Sequence, residues 1–115
     1  MKKKYRLLKN EDFQKVMDGK RFVSNQSFAL HYLPKDIAQL RLGISVGKKL
    51  GGAVVRNRIK RQVRMMSADV FDLNEAQDIV LLVRKGYLEK DYQDNIGELQ
   101  SLYQKIKRGE SRQLS

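Results

Sequence analysis

The sequence predicts an α+β fold in which about four strands form one small central sheet packed with three helices. Two kinds of pattern predict it: segments in which apolar residues recur every three to four positions, and short segments in which they alternate or run on without a break. Their order along the chain is α-β-β-β-α-β-α. With 115 residues, 41% of them apolar, we expect one domain over 1–115, with a core of about 5–108 between flexible basic termini.

The first predicted helix is Asn10–Asp18. Asn10 is a favourable N-cap, Glu11 and Asp12 suit the positive end of the helix dipole, and Gly19 can end the helix. Three apolar residues share one side of this helix: Phe13, Val16 and Met17.

Three strands are expected next. They are Arg21–Ser24, Ser27–Leu33 and Leu40–Val46, with a turn at Pro34–Gln39. In the second strand, alternation places Phe28, Leu30 and Tyr32 on one face and Ala29, His31 and Leu33 on the other. Alternation in the third strand indicates that one of its faces is also buried.

The second half of the chain alternates loops with longer elements. The glycine-rich loop Gly47–Gly52 precedes a long helix, Ala53–Phe71, and the nearly continuous apolar run Asp78–Arg84 is typical of a central strand. After a loop at Lys85–Lys90, the last helix is Asp91–Lys107. Its core stripe has five residues: Ile96, Leu99, Leu102, Tyr103 and Ile106.

Charge narrows the possible functions. The net charge of +11 indicates a polyanionic partner, either a nucleic acid or an anionic membrane surface. The chain has no cysteine and a single histidine, so no Cys/His zinc site can form and a reducing cytoplasm is the expected location. No apolar run approaches the ~20 residues that would span a bilayer, so we expect no membrane association.

Positive charge is concentrated between Ile37 and Ala68, which contain eight basic residues and no acidic one. On the long helix, five apolar residues form a buried stripe: Val55, Ile59, Val63, Met66 and Val70. The cations fall beside this stripe, with Arg56, Lys60 and Arg64 in one row, Asn57 and Arg61 in the next, and Arg58 on the far side. An ordinary solvated face would mix Glu with Lys, so the pattern favours phosphate binding.

Several neighbouring residues keep more than one interpretation. Asn57 could read a base edge, bind a sugar hydroxyl or simply face solvent, and Phe13 could stack on a base or belong to the core. For Phe28 the residue pattern favours the core. His31 is either a partner-facing polar residue or a strand filler, since it has no nucleophile or second histidine beside it. The carboxylates lie at ordinary helix ends and loops, so the protein itself is not expected to be catalytic.

The segments LKNEDFQKVMDGKRF, GISVGKKLGGAVVRNRIKRQVR and DIVLLVRKG closely resemble the protein subunit of bacterial ribonuclease P. The likeness covers roughly Tyr5 to Arg108. It implies an accessory subunit whose catalytic RNA partner, with Mg²⁺ bound mainly through RNA, removes the 5′ leader of precursor tRNA. It also implies a left-handed β-α-β crossover, although general rules favour a right-handed one.

The resemblance also implies roles for individual residues. The positions that dock on the catalytic RNA are Lys48, Lys49, Arg56, Asn57, Arg58, Lys60, Arg61 and Arg64. The positions that line a cleft for the single-stranded leader are Phe13, Met17, Phe28 and His31. Met17 stands where a phenylalanine is common in the family, and His31 where a tyrosine is common. No obligate protein partner is expected.

Three alternatives remain at this point. A ribosomal or rRNA-binding protein would share the charge and the small α+β fold but would need no leader cleft. A helix-turn-helix DNA binder is disfavoured because strands flank the basic helix. A self-sufficient nuclease is disfavoured because no acid–base cluster is visible in the sequence.

Overall fold

The computed structural model of this chain describes residues 2–109 and the backbone of residues 112–113. Parts of the predicted flexible termini, at Met1, Glu110, Ser111, Leu114 and Ser115, lie outside the described residues. Within the described residues the helices and strands are α1 Asn10–Asp18, β1 Arg21–Ser24, β2 Phe28–Pro34, β3 Arg41–Ser45, α2 Ala53–Val70, β4 Gln77–Val83, α3 Tyr92–Lys107 and β5 Arg112–Gln113. Short 3₁₀ turns span Lys3–Tyr5, Lys48–Leu50 and Lys85–Glu89.

The predicted α-β-β-β-α-β-α order is confirmed from α1 to α3, and the ends of each of these elements differ from the predicted ends by at most one residue. The short strand β5, which pairs with β1, was not predicted, since its residues fall in the terminus that was expected to be flexible. Asn10 was the wrong N-cap: it is the first helical residue, and Lys9 occupies the cap without a side-chain hydrogen bond. Gly19 is the C-cap and keeps a right-handed helical backbone, so it is Lys20, with φ of 57°, that turns the chain away.

The strands form one mixed sheet in the order β3-β4-β2-β1-β5. Only β3 and β4 run parallel among the strand pairs described, and α2 is the crossover that connects them. The handedness of this crossover stays a prediction. β4 lies between β3 and β2, which confirms the central position that its apolar run predicted.

The outer edge of β3 is covered by the segment that precedes α1. Arg6 forms a parallel bridge with Leu42, and the backbone N–H of Leu7 donates to the carbonyl oxygen of Leu42 at 2.9 Å. Leu7 is 3% exposed, so this segment is part of the packed structure.

The two faces of the sheet have different partners. The face that carries Phe28, Leu30 and Leu81 packs on α2 and α3 and forms the main core, so we call it the core face. The opposite face carries Leu33, Val80 and Leu82, packs on α1, and is called the α1 face. Val16 is the fully buried residue of α1 and anchors the helix there.

Candidate nucleic-acid interface

Helix α2 has a buried side and a charged side, as the sequence predicted. Ile59, Val63 and Met66 are buried in the main core, whereas Val55 and Val70 are half-buried at its margin. Because the helix rotates by about 100° per residue, burying this stripe turns the intervening cations outward. The stripe therefore fixes which side chains α2 presents to a partner.

The outward side chains of α2 and of the turn before it form what we call the basic surface. Its members are Lys48, Lys49, Arg56, Asn57, Arg58, Lys60, Arg61 and Arg64. Arg56 and Lys60 are half-buried and the others are exposed. All eight residues that the sequence singled out therefore lie on α2 or on the turn directly before it.

The basic surface has no internal counter-charge among the residues that the structure describes. The ion pairs in that part of the chain join Lys35 and Arg41 to Asp78, Arg41 to Asp12, and Lys90 to Glu98. In addition, Nε of Arg56 is shielded from solvent and meets no acceptor within the described chain. Crowded like charges repel one another, so these cations favour an external anionic partner.

Two of the four predicted leader-cleft residues lie on α1. Phe13 and Met17 are both half-buried and pack with Val16 against the α1 face. The Phe13 ring lies directly over Gly43 of β3, where an added Cβ would be 2.6 Å from the ring atom Cε2. Phe13 and Arg64 line the same cavity of about 120 Å³, so the α1 region and the basic surface adjoin each other.

His31 also lies on the α1 face, next to Val80 in the paired strands β2 and β4. It is 9% exposed, and its ring stacks on Phe22 with a centroid distance of 5.3 Å and an interplanar angle of 21°. Nδ1 has no hydrogen-bond partner among the described residues. Burial lowers the pKa of the imidazole below its ordinary value, so the ring is neutral at pH 7.

The structure corrects the assignment of Phe28 to the leader cleft. Phe28 is 0% exposed and lies on the core face, opposite to His31. Its ring packs edge-on against Tyr87 at a centroid distance of 5.7 Å. The residue pattern, which favoured the core for Phe28, was right, and the role implied by the resemblance was wrong.

Three residues beside the predicted site were not singled out for it. Gly43 supports the Phe13 ring, Phe22 stacks on His31, and Arg6 lines the cavity with Phe13 and Arg64. Strand alternation gave the face of each strand residue, but the pairing of Phe22 with His31 needs the register between β1 and β2. No sequence signal marked Arg6, although it lies within the predicted core of about 5–108.

Within residues 2–109 the structure has no group of three or more His, Cys, Asp or Glu residues placed to hold a metal ion. Among the helices in the described part of the chain, none has the length and apolar character needed to cross a membrane.

Comparisons with known proteins extend the geometric description. A family model described as Ribonuclease P matches residues 1–107. The "Ribonuclease P protein component" of Streptococcus thermophilus is 42% identical over 94 residues, which cover 82% of this chain and 85% of that protein. The protein of the same name from Mycoplasma mycoides subsp. mycoides is 40% identical over 111 residues, covering 93% of this chain and 100% of that protein.

Solved structures show the same fold. The Staphylococcus aureus RNase P protein matches with a TM-score of 0.79 and 33% identity, covering 90% of this chain and 95% of that one. The Thermotoga maritima RNase P protein matches with a TM-score of 0.73 and 28% identity, covering 84% and 93% of the two chains. Because the family match and the curated relatives span most of the sequence, this chain belongs to the family of ribonuclease P proteins, the protein subunits of that endoribonuclease.

Proposed function

We propose that this protein binds the catalytic RNA of ribonuclease P through its basic surface and binds the single-stranded 5′ leader of precursor tRNA beside α1. In this way it assists the RNA in endonucleolytic removal of the leader, within the cytoplasm. The observation that carries the proposal is the basic surface, which forms no ion pair within the described part of the chain and whose Arg64 lines one cavity with Phe13. The protein supplies binding, and the RNA supplies the chemistry.

The residues divide between two roles in this proposal. The whole basic surface neutralises phosphates of the catalytic RNA, and the arginine forks can each grip two phosphate oxygens. The leader is assigned to Phe13, Met17 and His31, because all three lie on α1 or on the sheet face beneath it. Phe28 has no part in it. Precursor then binds better than leaderless product, which favours turnover.

Mg²⁺ is assigned to the RNA. The residues of this chain that the structure describes do not offer a cluster of metal-binding side chains, so no step of the proposal passes through a protein-bound ion. The ion, held through RNA in the assembled enzyme, would supply the charge stabilisation that phosphodiester cleavage needs.

The direct test is cleavage of precursor tRNA at low Mg²⁺ by the catalytic RNA alone, by the protein alone, and by both. We expect the combination to cleave faster than the RNA alone and the protein alone to leave the substrate intact. Cleavage by the protein alone would contradict the division of roles. Protein that binds ribosomal RNA but gives no stimulation would favour the ribosomal or rRNA-binding alternative.

Leader binding has its own test. Replacing Phe13 by alanine should weaken binding of precursor tRNA by about fivefold or more, since losing one base-stacking ring costs ~1–3 kcal/mol, and should leave mature tRNA unaffected. Leu88→Ala is the matched control, because Leu88 is an apolar side chain, 54% exposed, on the turn Lys85–Glu89. Equal weakening of both RNAs by Phe13→Ala would remove Phe13 from the leader site.

A further inference from the structure

We propose that Arg41 and Gly43 of β3 are positioning residues that hold α1, and with it Phe13, at the place where the leader is bound. The inference rests on the proposed function, since it explains how that site gets its selectivity for RNA that carries a leader. Both residues project to the α1 face, because positions two apart in a strand share a face.

Arg41 is fixed to the sheet on one side. Its Nε donates to Oδ1 of Asp78 at 3.0 Å, and its Nη2 donates to Oδ2 at 2.7 Å, which makes a two-point pair. Asp78 is 7% exposed, and Lys35 donates to the same carboxylate at 2.8 Å. The guanidinium plane is therefore set by two bonds to one buried group.

The free end of Arg41 reaches α1. Its Nη1 donates to Oδ2 of Asp12 at 3.3 Å, and Asp12 lies in the first turn of the helix, directly before Phe13. The contact thus ties the N-terminal end of α1 to the start of β4 through one side chain. Val16 is buried nearer the other end of the helix and packs with Met17 against the sheet, so that end of α1 is held without Arg41.

Gly43 sets the distance between Phe13 and the sheet. Any larger residue would place a Cβ 2.6 Å from Cε2 of the Phe13 ring and closer still to Cζ, so the ring would have to move. The requirement for glycine is steric, since Gly43 is not among the residues with positive φ. Arg41 and Gly43 therefore fix two neighbouring points of α1, the first at Asp12 and the second at Phe13.

The two points matter because the cavity under Phe13 is also lined by Arg64 of the basic surface. A small shift of the N-terminal turn of α1 changes the gap between the aromatic ring and this cation. A leader base that stacks on the ring, while the guanidinium holds a phosphate of the catalytic RNA, is sensitive to that gap. RNA without a leader places no base on the ring, so its binding does not depend on the gap.

The first experiment compares Asp12→Asn with Asp18→Asn. Both remove one negative charge from α1, but Asp18 accepts its hydrogen bond from Gln14 and does not touch Arg41. We expect Asp12→Asn to lower the ratio of precursor to mature tRNA affinity by about two- to fivefold, the range for a partly exposed ion pair, while Asp18→Asn leaves the ratio unchanged. Indistinguishable ratios for the two variants would overturn the inference.

The second experiment tests Gly43 through a double-mutant cycle. Gly43→Ala should lose selectivity for precursor tRNA, and adding Phe13→Ala to it should cause little further loss, because the ring is already displaced. Fully additive losses would overturn the role of Gly43. Binding of mature tRNA and the circular dichroism spectrum serve as checks that each variant is folded.

Measurements on the wild-type protein separate leader binding itself from the positioning roles of Arg41 and Gly43. Wild-type protein that prefers precursor tRNA, with variants that keep this preference, would contradict the positioning roles alone. Wild-type protein that binds both RNAs equally would contradict leader binding itself, and the inference with it.

Discussion

Replacing Phe28 by alanine should strongly destabilise the protein without a selective effect on RNA binding, because Phe28 belongs to the main core and not to the cleft. The side chain is 0% exposed, and its ring packs edge-on against Tyr87. Phe28 is also the first residue of β2, which pairs with both β1 and β4. Its loss therefore leaves a cavity in the main core beside Tyr87.

The expected magnitude follows from the burial. Truncating a wholly buried phenylalanine to alanine costs ~3–5 kcal/mol, which includes the ~0.5–1.5 kcal/mol of an aromatic edge contact. A domain of this size has a free energy of unfolding of roughly 5–15 kcal/mol, so the alanine variant would be marginal. Phe28→Leu, which keeps most of the volume, should cost less than ~1.5 kcal/mol and stay folded.

Urea unfolding followed by circular dichroism measures both variants, and precursor and mature tRNA binding is measured on Phe28→Leu. We expect a lower urea midpoint for Phe28→Leu and an unchanged ratio of the two RNA affinities. A Phe28→Leu variant with wild-type stability but a reduced preference for precursor tRNA would refute the placement of Phe28 in the core.

Three further outcomes are expected. Arg61→Ala should lower the slope of log affinity against log salt for the catalytic RNA by about one, whereas Lys107→Ala on α3 should leave it unchanged. Burial lowers the pKa of His31, so the unfolded state binds more protons and the free energy of unfolding should fall as pH drops below about 6.5; His31→Phe should flatten this dependence. Burial raises the pKa of Tyr103 to about 12, so its contribution to stability is complete below pH 10 and is lost as pH rises towards 12. Tyr103→Phe should remove that loss and, because the N–H of Asp72 then lacks its 3.1 Å acceptor, should cost ~0.5–1.5 kcal/mol at neutral pH.

Each of these three predictions would be contradicted by a specific outcome. An unchanged salt slope for Arg61→Ala would mean that this side chain touches no phosphate. A His31→Phe protein whose stability falls below pH 6.5 as steeply as that of the wild type would assign that loss to other groups. For Tyr103, a phenylalanine variant that is equally sensitive above pH 10 would exclude the buried hydroxyl as the cause.

Periodicity was enough to predict the elements from α1 to α3. The helical stripe of α2 and the apolar run of β4 reflect how many faces of each element are buried, and that information is local in the sequence. The basic surface could be predicted for the same reason: once Ile59 and Val63 are buried, the two cations between them, Lys60 and Arg61, must point away from the core.

The site beside α1 was harder to predict because it depends on contacts between distant segments. The contact of Phe13 with Gly43 joins α1 to β3, and Arg41 of β3 joins Asp12 on α1 to Asp78 on β4. Alternation along β2 already placed Phe28 and His31 on opposite faces, so a single cleft could not contain both. The resemblance supplied a set of residues, and the strand geometry decides which of them can act together.

The segment before α1 has a practical consequence. By bonding to Leu42 it occupies the outer edge of β3, which would otherwise offer free backbone groups to a strand of another molecule. Purification tags or truncations that pull Arg6 and Leu7 away from β3 would expose that edge next to the buried Leu42. Self-association of such shortened proteins would then result from pairing at the exposed edge of β3, and it would not indicate how the intact subunit assembles.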